Sequence, residues 1–369
     1  MVKLKALVVD DTIIYRKILT QAVEDTGLCV VDKTAPNGMI ALEWLHQKPF
    51  DVVLLDVFMP IMDGIEALKR IKKEFPSIAV IMISSDGKDS VQNTVKALEL
   101  GAMEFIMKPT SGDKTKNIQS ITRTLKILFA QIHMHKYEKG TIDKRKTSIL
   151  DADKKINEDI RKAKKRELNA SHSLNKRIKP DIILIASSTG GPVALENIFK
   201  AIKEPMTKPV LVVQHMPKHF TKVLANSLQS KSGLNISEVK NEQEVSSKEV
   251  IIAAGGSHMI VASEKGKKIL KLLETPLVNG VRPSADVLFK SVAKEFHGYK
   301  ILVIILTGMG NDGMRGVQEL RKRCEVYCIS QSEESSVVYG MPRSVEEAGL
   351  SDEVLHLRDI PERIVSMLK

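Results

Sequence analysis

Two stretches in which apolar runs alternate with amphipathic helical segments, separated by a long basic segment, constrain this chain of 369 residues more than any other feature. In the first stretch the apolar runs are Leu4–Val9, Cys29–Val31, Val52–Leu55, Ile78–Ile83 and Glu104–Met107. Helical periodicity falls between them near 14–26, 38–47, 64–75 and 88–100, and again after Lys114. Such alternation predicts a parallel sheet covered on both faces. After Pro180 the pattern resumes, with runs at Ile182–Ala186, Val210–Val213, Val250–Ala254, Ile301–Leu306 and Val326–Ile329. Helical segments accompany these near 192–203, 220–231, 284–297 and 312–323. The expected fold class is therefore α/β with two doubly wound parallel-sheet domains. A five-stranded domain occupies 1–125, and a larger Rossmann-like domain occupies 180–369. A linker over 126–179, helical in part, joins them.

The charge belongs mostly to that linker. Residues 136–179 hold 15 Lys/Arg against 7 Asp/Glu, which is +8 of the chain's +11. The remainder is nearly neutral, and aromatic residues are only 4%, so platforms for stacking bases are scarce. Nucleic acid is not an expected partner. A DNA-binding output domain would also need a helix-turn-helix, whereas the second half reads as strand-rich. The basic linker is read as a solvated spacer in preference to a site for acidic protein surfaces or anionic lipid. No apolar run is long enough to span a bilayer, and none follows the start as a signal peptide would require. Three cysteines cannot build a disulfide framework, so a reducing cytoplasm is the expected location. Cys324 and Cys328 read as buried thiols, His133 and His135 as solvated, and Trp44 as packing.

Chemistry is expected where strands end, because side chains just beyond the carboxyl ends of parallel strands converge on one crevice. In the first domain those positions hold Asp10, Asp11, Asp56, Ser84 and Lys108. Each Asp alone could be a helix cap. Together, three carboxylates call for a cation, and hard oxygen ligands suit Mg²⁺. Such a site could carry a phosphoryl group on Asp56, with the metal and Lys108 offsetting its charge.

The segments Val8-Val9-Asp10-Asp11, Leu54-Leu55-Asp56-Val57-Phe58-Met59-Pro60, Met82-Ile83-Ser84 and Met107-Lys108-Pro109 resemble the receiver domain of two-component response regulators. The resemblance implies that Asp56 accepts the phosphoryl group and that Asp10 and Asp11 help Asp56 bind Mg²⁺. It further implies that Ser84 is the switch hydroxyl and that Lys108 contacts the phosphate. Phe105 stands where the family often has a rotating aromatic ring; a packed core ring fits it equally well.

In the second domain Ser187-Ser188-Thr189-Gly190-Gly191-Pro192, Gln214-His215-Met216-Pro217 and Thr307-Gly308-Met309-Gly310-Asn311-Asp312-Gly313 each follow an apolar run. A hydroxyl, an imidazole and a carboxylate thus leave three strand ends on one edge. If the strands are neighbours, His can deprotonate Ser while Asp orients the ring. Free amides after the glycines and around Met309 could serve an oxyanion. The Gly308–Gly313 segment also satisfies a dinucleotide-binding pattern, but Asp312 would then repel a pyrophosphate.

With Arg282-Pro283-Ser284-Ala285-Asp286 and Val337-Val338-Tyr339-Gly340-Met341-Pro342-Arg343, these segments resemble the effector domain of the chemotaxis protein-glutamate methylesterases. The resemblance implies a nucleophile at Ser188, a general base at His215 and an orienting acid at Asp312. It places Thr189 near the imidazole and the Met309 amide in the oxyanion hole. Ala186-Ser187 stands where the family usually has Gly-Ala, which puts a second hydroxyl beside the nucleophile, and Val281 stands where many relatives carry His. The implied activity is a phosphorylation-controlled serine hydrolase that demethylates glutamate γ-methyl esters and deamidates glutamines. Its substrates would be methyl-accepting chemoreceptors in chemotaxis adaptation, and its phosphodonor a chemotaxis histidine kinase. No cofactor is expected at the esterase site, and the chain is expected to act as a monomer. A catalytically silent adaptor on the same fold is the competing class.

Overall fold

The computed structural model describes residues 2–85, 87–109, 113–145 and 178–369. The first five strands are β1 (Leu4–Val9), β2 (Cys29–Ala35), β3 (Val52–Asp56), β4 (Ala79–Ser84) and β5 (Glu104–Met107). They form one sheet in the order β2-β1-β3-β4-β5, with every neighbouring pair parallel. Central β3 is buried at all five positions, as a strand covered on both faces must be. The covering helices are α1 (Ile13–Glu24), α2 (Gly38–Gln47), α3 (Gly64–Glu74), α4 (Lys88–Glu99) and α5 (Lys114–Arg145). Asn37 and Asp63 cap α2 and α3 by accepting from the Ile40 and Glu66 N–H groups.

The first unit extends further than the expected boundary at residue 125. Helix α5 continues to Arg145, and Leu128, Phe129 and Ile132 are buried in the same apolar cluster as β1 and α1. Ile121, Leu125, Leu128 and Ile132 form one stripe at helical spacing, so packing carries the helix into the basic region. The expected polar helix at 151–168 and the loop at 170–175 lie outside the described residues.

The second unit contains β6 (Ile182–Ser187), β7 (Val210–Gln214), β8 (Ile236–Glu238), β9 (Gln243–Glu244), β10 (Val250–Ile252), β11 (His258–Glu264), β12 (Lys267–Leu273), β13 (Lys300–Ile305), β14 (Glu325–Gln331) and β15 (Glu353–Leu355). Seven of these make a parallel sheet ordered β15-β14-β13-β6-β7-β10-β8. Its helices are α6 (Gly191–Ala201), α7 (Phe220–Ser232), α8 (Ala285–Glu295), α9 (Met314–Arg323), α10 (Met341–Glu347) and α11 (Ile360–Leu368). A separate antiparallel sheet, β11-β12-β9, was not expected. Its hairpin turns at Lys265-Gly266, where φ is 48° and 80°, the pair of left-handed conformations a two-residue hairpin favours.

The two units share a core. One apolar cluster includes Val91, Val95 and Leu98 from α4 together with Phe199, Phe220 and Leu224 from the second unit. Helix α4 packs on α6 and α7, and the Phe105 ring stacks on Phe220 with centroids 4.8 Å apart. Among the described residues, no helix is long and apolar enough to cross a membrane. Cys324 and Cys328 are free thiols, and the Trp44 ring packs at the edge of the core.

One close approach tests this packing. A Cβ at Gly316 in α9 would lie 2.6 Å from Phe289 Cβ in α8. Gly316→Ala gains about 1 kcal/mol of helix propensity but forces apart two packed helices at a cost of about 1–3 kcal/mol. The variant is therefore expected to unfold at lower urea than the parent protein; a raised midpoint would show that α8 and α9 are loosely packed.

Candidate active site

Neighbouring strands β6 and β7 deliver the two central groups. In their parallel pairing Ser187 lies opposite Gln214, so the next residues, Ser188 and His215, leave the sheet side by side. Ser187 is fully buried, and its hydroxyl donates to Gln214 Oε1 at 2.6 Å. Gln214 Nε2 then donates to the Ser188 carbonyl at 2.9 Å and the His215 carbonyl at 3.3 Å. Ser187 is thus committed to the interior, and Ser188 is the one of the pair that is only half-buried. Gly191 follows for a steric reason: a Cβ there would lie 2.0 Å from Gln214 Oε1.

The loop after β13 closes over the serine. Ser188 N–H donates to the Thr307 carbonyl at 3.0 Å, and a Cβ on Gly308 would sit 2.8 Å from Ser188 Cβ. Among the described residues nothing accepts from the Met309 amide, which is thereby available to a ligand. His215 Nε2 pairs with Asp312 Oδ2 at 2.8 Å. This leaves Nδ1 as the free ring nitrogen. The Ser188 hydroxyl makes no hydrogen bond to the ring among the described residues. Serine and histidine are therefore adjacent through Gln214, and only histidine and aspartate are in direct contact. Catalytic hydrogen bonds are often longer in ligand-free enzymes than in their complexes.

Asp312 is buried and densely solvated by protein. Oδ1 accepts from Ser284 Oγ at 2.6 Å, Asn279 Nδ2 at 2.7 Å and Asp286 N–H at 3.2 Å, while Oδ2 also accepts from Ala285 N–H at 2.6 Å. These amides are the start of α8, whose dipole favours an anion there. Burial alone would push the carboxyl up, but the His215 bond and charge, with the Ser284 and Ala285 donors, hold it down at about 2.

Thr189 does not turn to the imidazole as expected. Its hydroxyl donates to Glu104 Oε2 of the first unit at 2.5 Å. Burial pushes the Glu104 carboxyl up, opposed by that bond, the Phe105 N–H and the nearby His215. Glu99 at the end of α4 also reaches across, accepting from Ser227 and pairing with Lys231 at 2.7 Å. The first unit is thus bonded directly to the residue after the serine and to α7.

At the other site, Asp10, Asp11 and Asp56 bring one carboxylate oxygen each to within 4.8 Å of one another. Lys108 Nζ lies 2.7 Å from Asp56 Oδ2 and 2.8 Å from Asp10 Oδ2. Lys108 thus pairs with both acids, one ammonium set against three carboxyl groups. Three hard oxygens this close together fit a Mg²⁺ ion. Burial raises the Asp56 carboxyl to about 6, with Lys108 opposing and Asp10 adding to the rise. Ser84 is turned away toward α4, bonded to Thr94 Oγ1 at 2.6 Å and Ser90 Oγ at 2.9 Å. Phe105 is the stacked ring described above, half-buried at the junction of the units.

Residues 6–119 match the response regulator receiver domain model, and residues 183–364 match the CheB methylesterase model. A protein-glutamate methylesterase/protein-glutamine glutaminase of Desulfotalea psychrophila is 36% identical over 371 residues, covering 100% of both chains. The chain belongs to the CheB methylesterase family. A family member from Treponema denticola is 38% identical, covering 94% of this chain and 93% of its own. The catalytic domain of Thermotoga maritima CheB methylesterase is 36% identical, covering 52% of this chain and 100% of its own, with a TM-score of 0.49. As in the CheB family, a receiver is joined here to a hydrolase of the protein-glutamate methylesterase/protein-glutamine glutaminase class. A receiver implies a phosphodonor kinase, and this hydrolase class implies a protein substrate.

From the sequence, Gln214 was named without a task, Glu104 stood only as the start of an apolar run, and Asn279 was not singled out. Asn279-Gly280 is a turn signal that could have flagged the last of these. Asp312 offers a direct test of the electrostatics. Its folded value lies below the ordinary 3.8, so its ionised form stabilises the fold above that pH and the contribution is lost as pH falls toward about 2. Asp312→Asn is expected to remove roughly 2 kcal/mol at pH 7. By urea unfolding, the gap between parent and variant should narrow below about pH 4; a constant gap from pH 7 to 3 would contradict the assignment.

Proposed function

We propose that Ser188, His215 and Asp312 are the catalytic triad of this hydrolase and that phosphorylation of Asp56 controls access to it. The observation that carries the reading is the His215–Asp312 pair, which leaves Nδ1 free beside the strand end bearing Ser188. Nδ1 takes the Ser188 proton as Oγ attacks the γ-carbonyl carbon of a glutamyl methyl ester. The bond to the methoxy oxygen then breaks as Nδ1 returns that proton, releasing methanol. Water, deprotonated by the same nitrogen, attacks the acyl carbon; the bond to Ser188 Oγ breaks, Nδ1 returns the proton to Oγ, and the glutamate carboxyl group is released and ionises. With a glutamine substrate the leaving group is ammonia. The Met309 N–H stabilises the oxyanion, a contribution of about 3 kcal/mol. Asp312 remains ionised throughout and stabilises the imidazolium.

The substrates are glutamyl esters and glutamines on the helices of methyl-accepting chemoreceptors, and the phosphodonor is a chemotaxis histidine kinase. Asp10, Asp11 and Asp56 would hold Mg²⁺, which when bound offsets the charge of a phosphoryl group on Asp56. That group adds about −1.5 to −2 charge beside Lys108. A Ser84 hydroxyl drawn toward it leaves Ser90 and Thr94, both on α4. Helix α4 ends at Glu99, which is bonded to α7, and the following strand bears Glu104, which is bonded to Thr189. Loosening these contacts uncovers the crevice to a receptor helix.

Methanol release from methylated receptor, with and without a small-molecule phosphodonor, tests this reading. Ser188→Ala is expected to lower release about a thousandfold or more, while Ser187→Ala loses no more than about tenfold, the worth of one buried hydrogen bond. Unchanged release from Ser188→Ala would sink the triad. Glu104→Ala should raise release without phosphodonor by about tenfold, matching the loss of one charge-assisted hydrogen bond from the closed form. No rise would mean that the Thr189 contact does not hold the crevice shut.

A further inference from the structure

We infer that Asn279 is the positioning residue that holds the Asp312 carboxylate in register with His215. The inference rests on the triad reading and concerns a residue that touches neither the nucleophile nor the imidazole. Asn279 and Gly280 form the tip of a two-residue turn closed by reciprocal backbone bonds between Val278 and Val281, at 3.2 and 3.0 Å. Their φ values are 54° and 78°, the left-handed pair that a type I′ turn requires. Asn, Asp and Gly are the residues that tolerate the first position readily.

The side chain narrows the choice further. Asn279 Nδ2 carries two hydrogens and bonds two different carboxylates, Asp312 Oδ1 at 2.7 Å and Asp286 Oδ2 at 2.9 Å. Both acids are buried. Among the described residues, Asn279 is the one side chain that donates to both. Aspartate at 279 could not donate, and glycine has nothing to donate with, so of the three residues that this turn favours only asparagine supplies the bridge.

The bridge closes a ring around the catalytic acid. Asp286 Oδ1 receives the Gly313 and Gly316 N–H groups at 3.1 and 2.6 Å, which fixes the backbone just after Asp312 to α8. Asn279 then fixes the Asp312 side chain to that same anchor. The other donors to Oδ1, Ser284 and the Asp286 amide, come from the start of α8. Asn279 comes instead from an exposed turn outside α8, so it ties Oδ1 to a second element and restrains the carboxylate from two segments of chain.

Steady-state methanol release by the full chain, together with the proton resonance of the His215 Nε2–H group bonded to Asp312, tests the assignment. Asn279→Gly preserves the left-handed turn and removes the amide. It is expected to lower kcat about ten- to a hundredfold, as for loss of a hydrogen bond to a buried charge. KM should stay within about twofold, because uniform substrate binding is untouched, and the imidazole resonance should shift or broaden. Asn279→Asp keeps the turn, places a third carboxylate against the other two, and should lower kcat further; it gives the same reading if the glycine variant is unstable. Ser188→Ala in the same assay separates the two ideas, since activity there would refute the triad itself. If Ser188→Ala is inactive while Asn279→Gly keeps its kcat and its imidazole resonance, Asn279 has no positioning role. A change confined to KM would place Asn279 on the substrate and overturn the inference equally.

Discussion

A single buried amide, that of Gln214, determines where the second unit can do chemistry. It accepts from Ser187 and donates to the carbonyls of Ser188 and His215, so two strand ends are fixed by one planar group. A buried amide left wholly unpaired in that position would cost a few kcal/mol. Gly191 has no side chain because the same amide occupies the space. Identity at 187, 191 and 214 is therefore one joint solution to a packing and hydrogen-bonding problem. The reactive hydroxyl is simply the next residue along.

The two crevices treat their acids in opposite ways. Asp312 receives five donors and stays ionised well below neutrality. Asp56, equally withdrawn from water, has the Lys108 ammonium and the Val57 amide against it but also a neighbouring acid, and its carboxyl rises to about 6. An orienting acid is best served by a full set of fixed donors. A phosphoryl acceptor is best left short of positive charge until a cation and a phosphoryl group arrive together.

Much of this was legible before any coordinates. Apolar runs gave both parallel sheets because buried central strands leave an unmistakable pattern, and the strand-end rule brought Asp10, Asp56, Ser84 and Lys108 to one edge. Short strands such as Ile236–Glu238 and Glu353–Leu355 left no such pattern, since three residues cannot establish a period. The length of α5 was harder to read: Leu128, Phe129 and Ile132 continue the stripe, but it runs out where the basic segment begins at Lys136. Thr189 was placed near the imidazole, and the acceptor of its hydroxyl was missed because that partner, Glu104, belongs to the other unit. Contacts between units depend on how two finished surfaces meet, and no local periodicity encodes that.

The apolar cluster running from α4 into α6 and α7 has a thermodynamic consequence. Separating the units wets Phe105, Phe220 and their neighbours, so the opened form must have a larger heat capacity than the closed one. Hydrophobic burial weakens on cooling, and the closed form should therefore lose ground in the cold. Temperature thus becomes an input to the same equilibrium that phosphorylation sets, written into the molecule by nothing more specific than a few buried rings and aliphatic side chains.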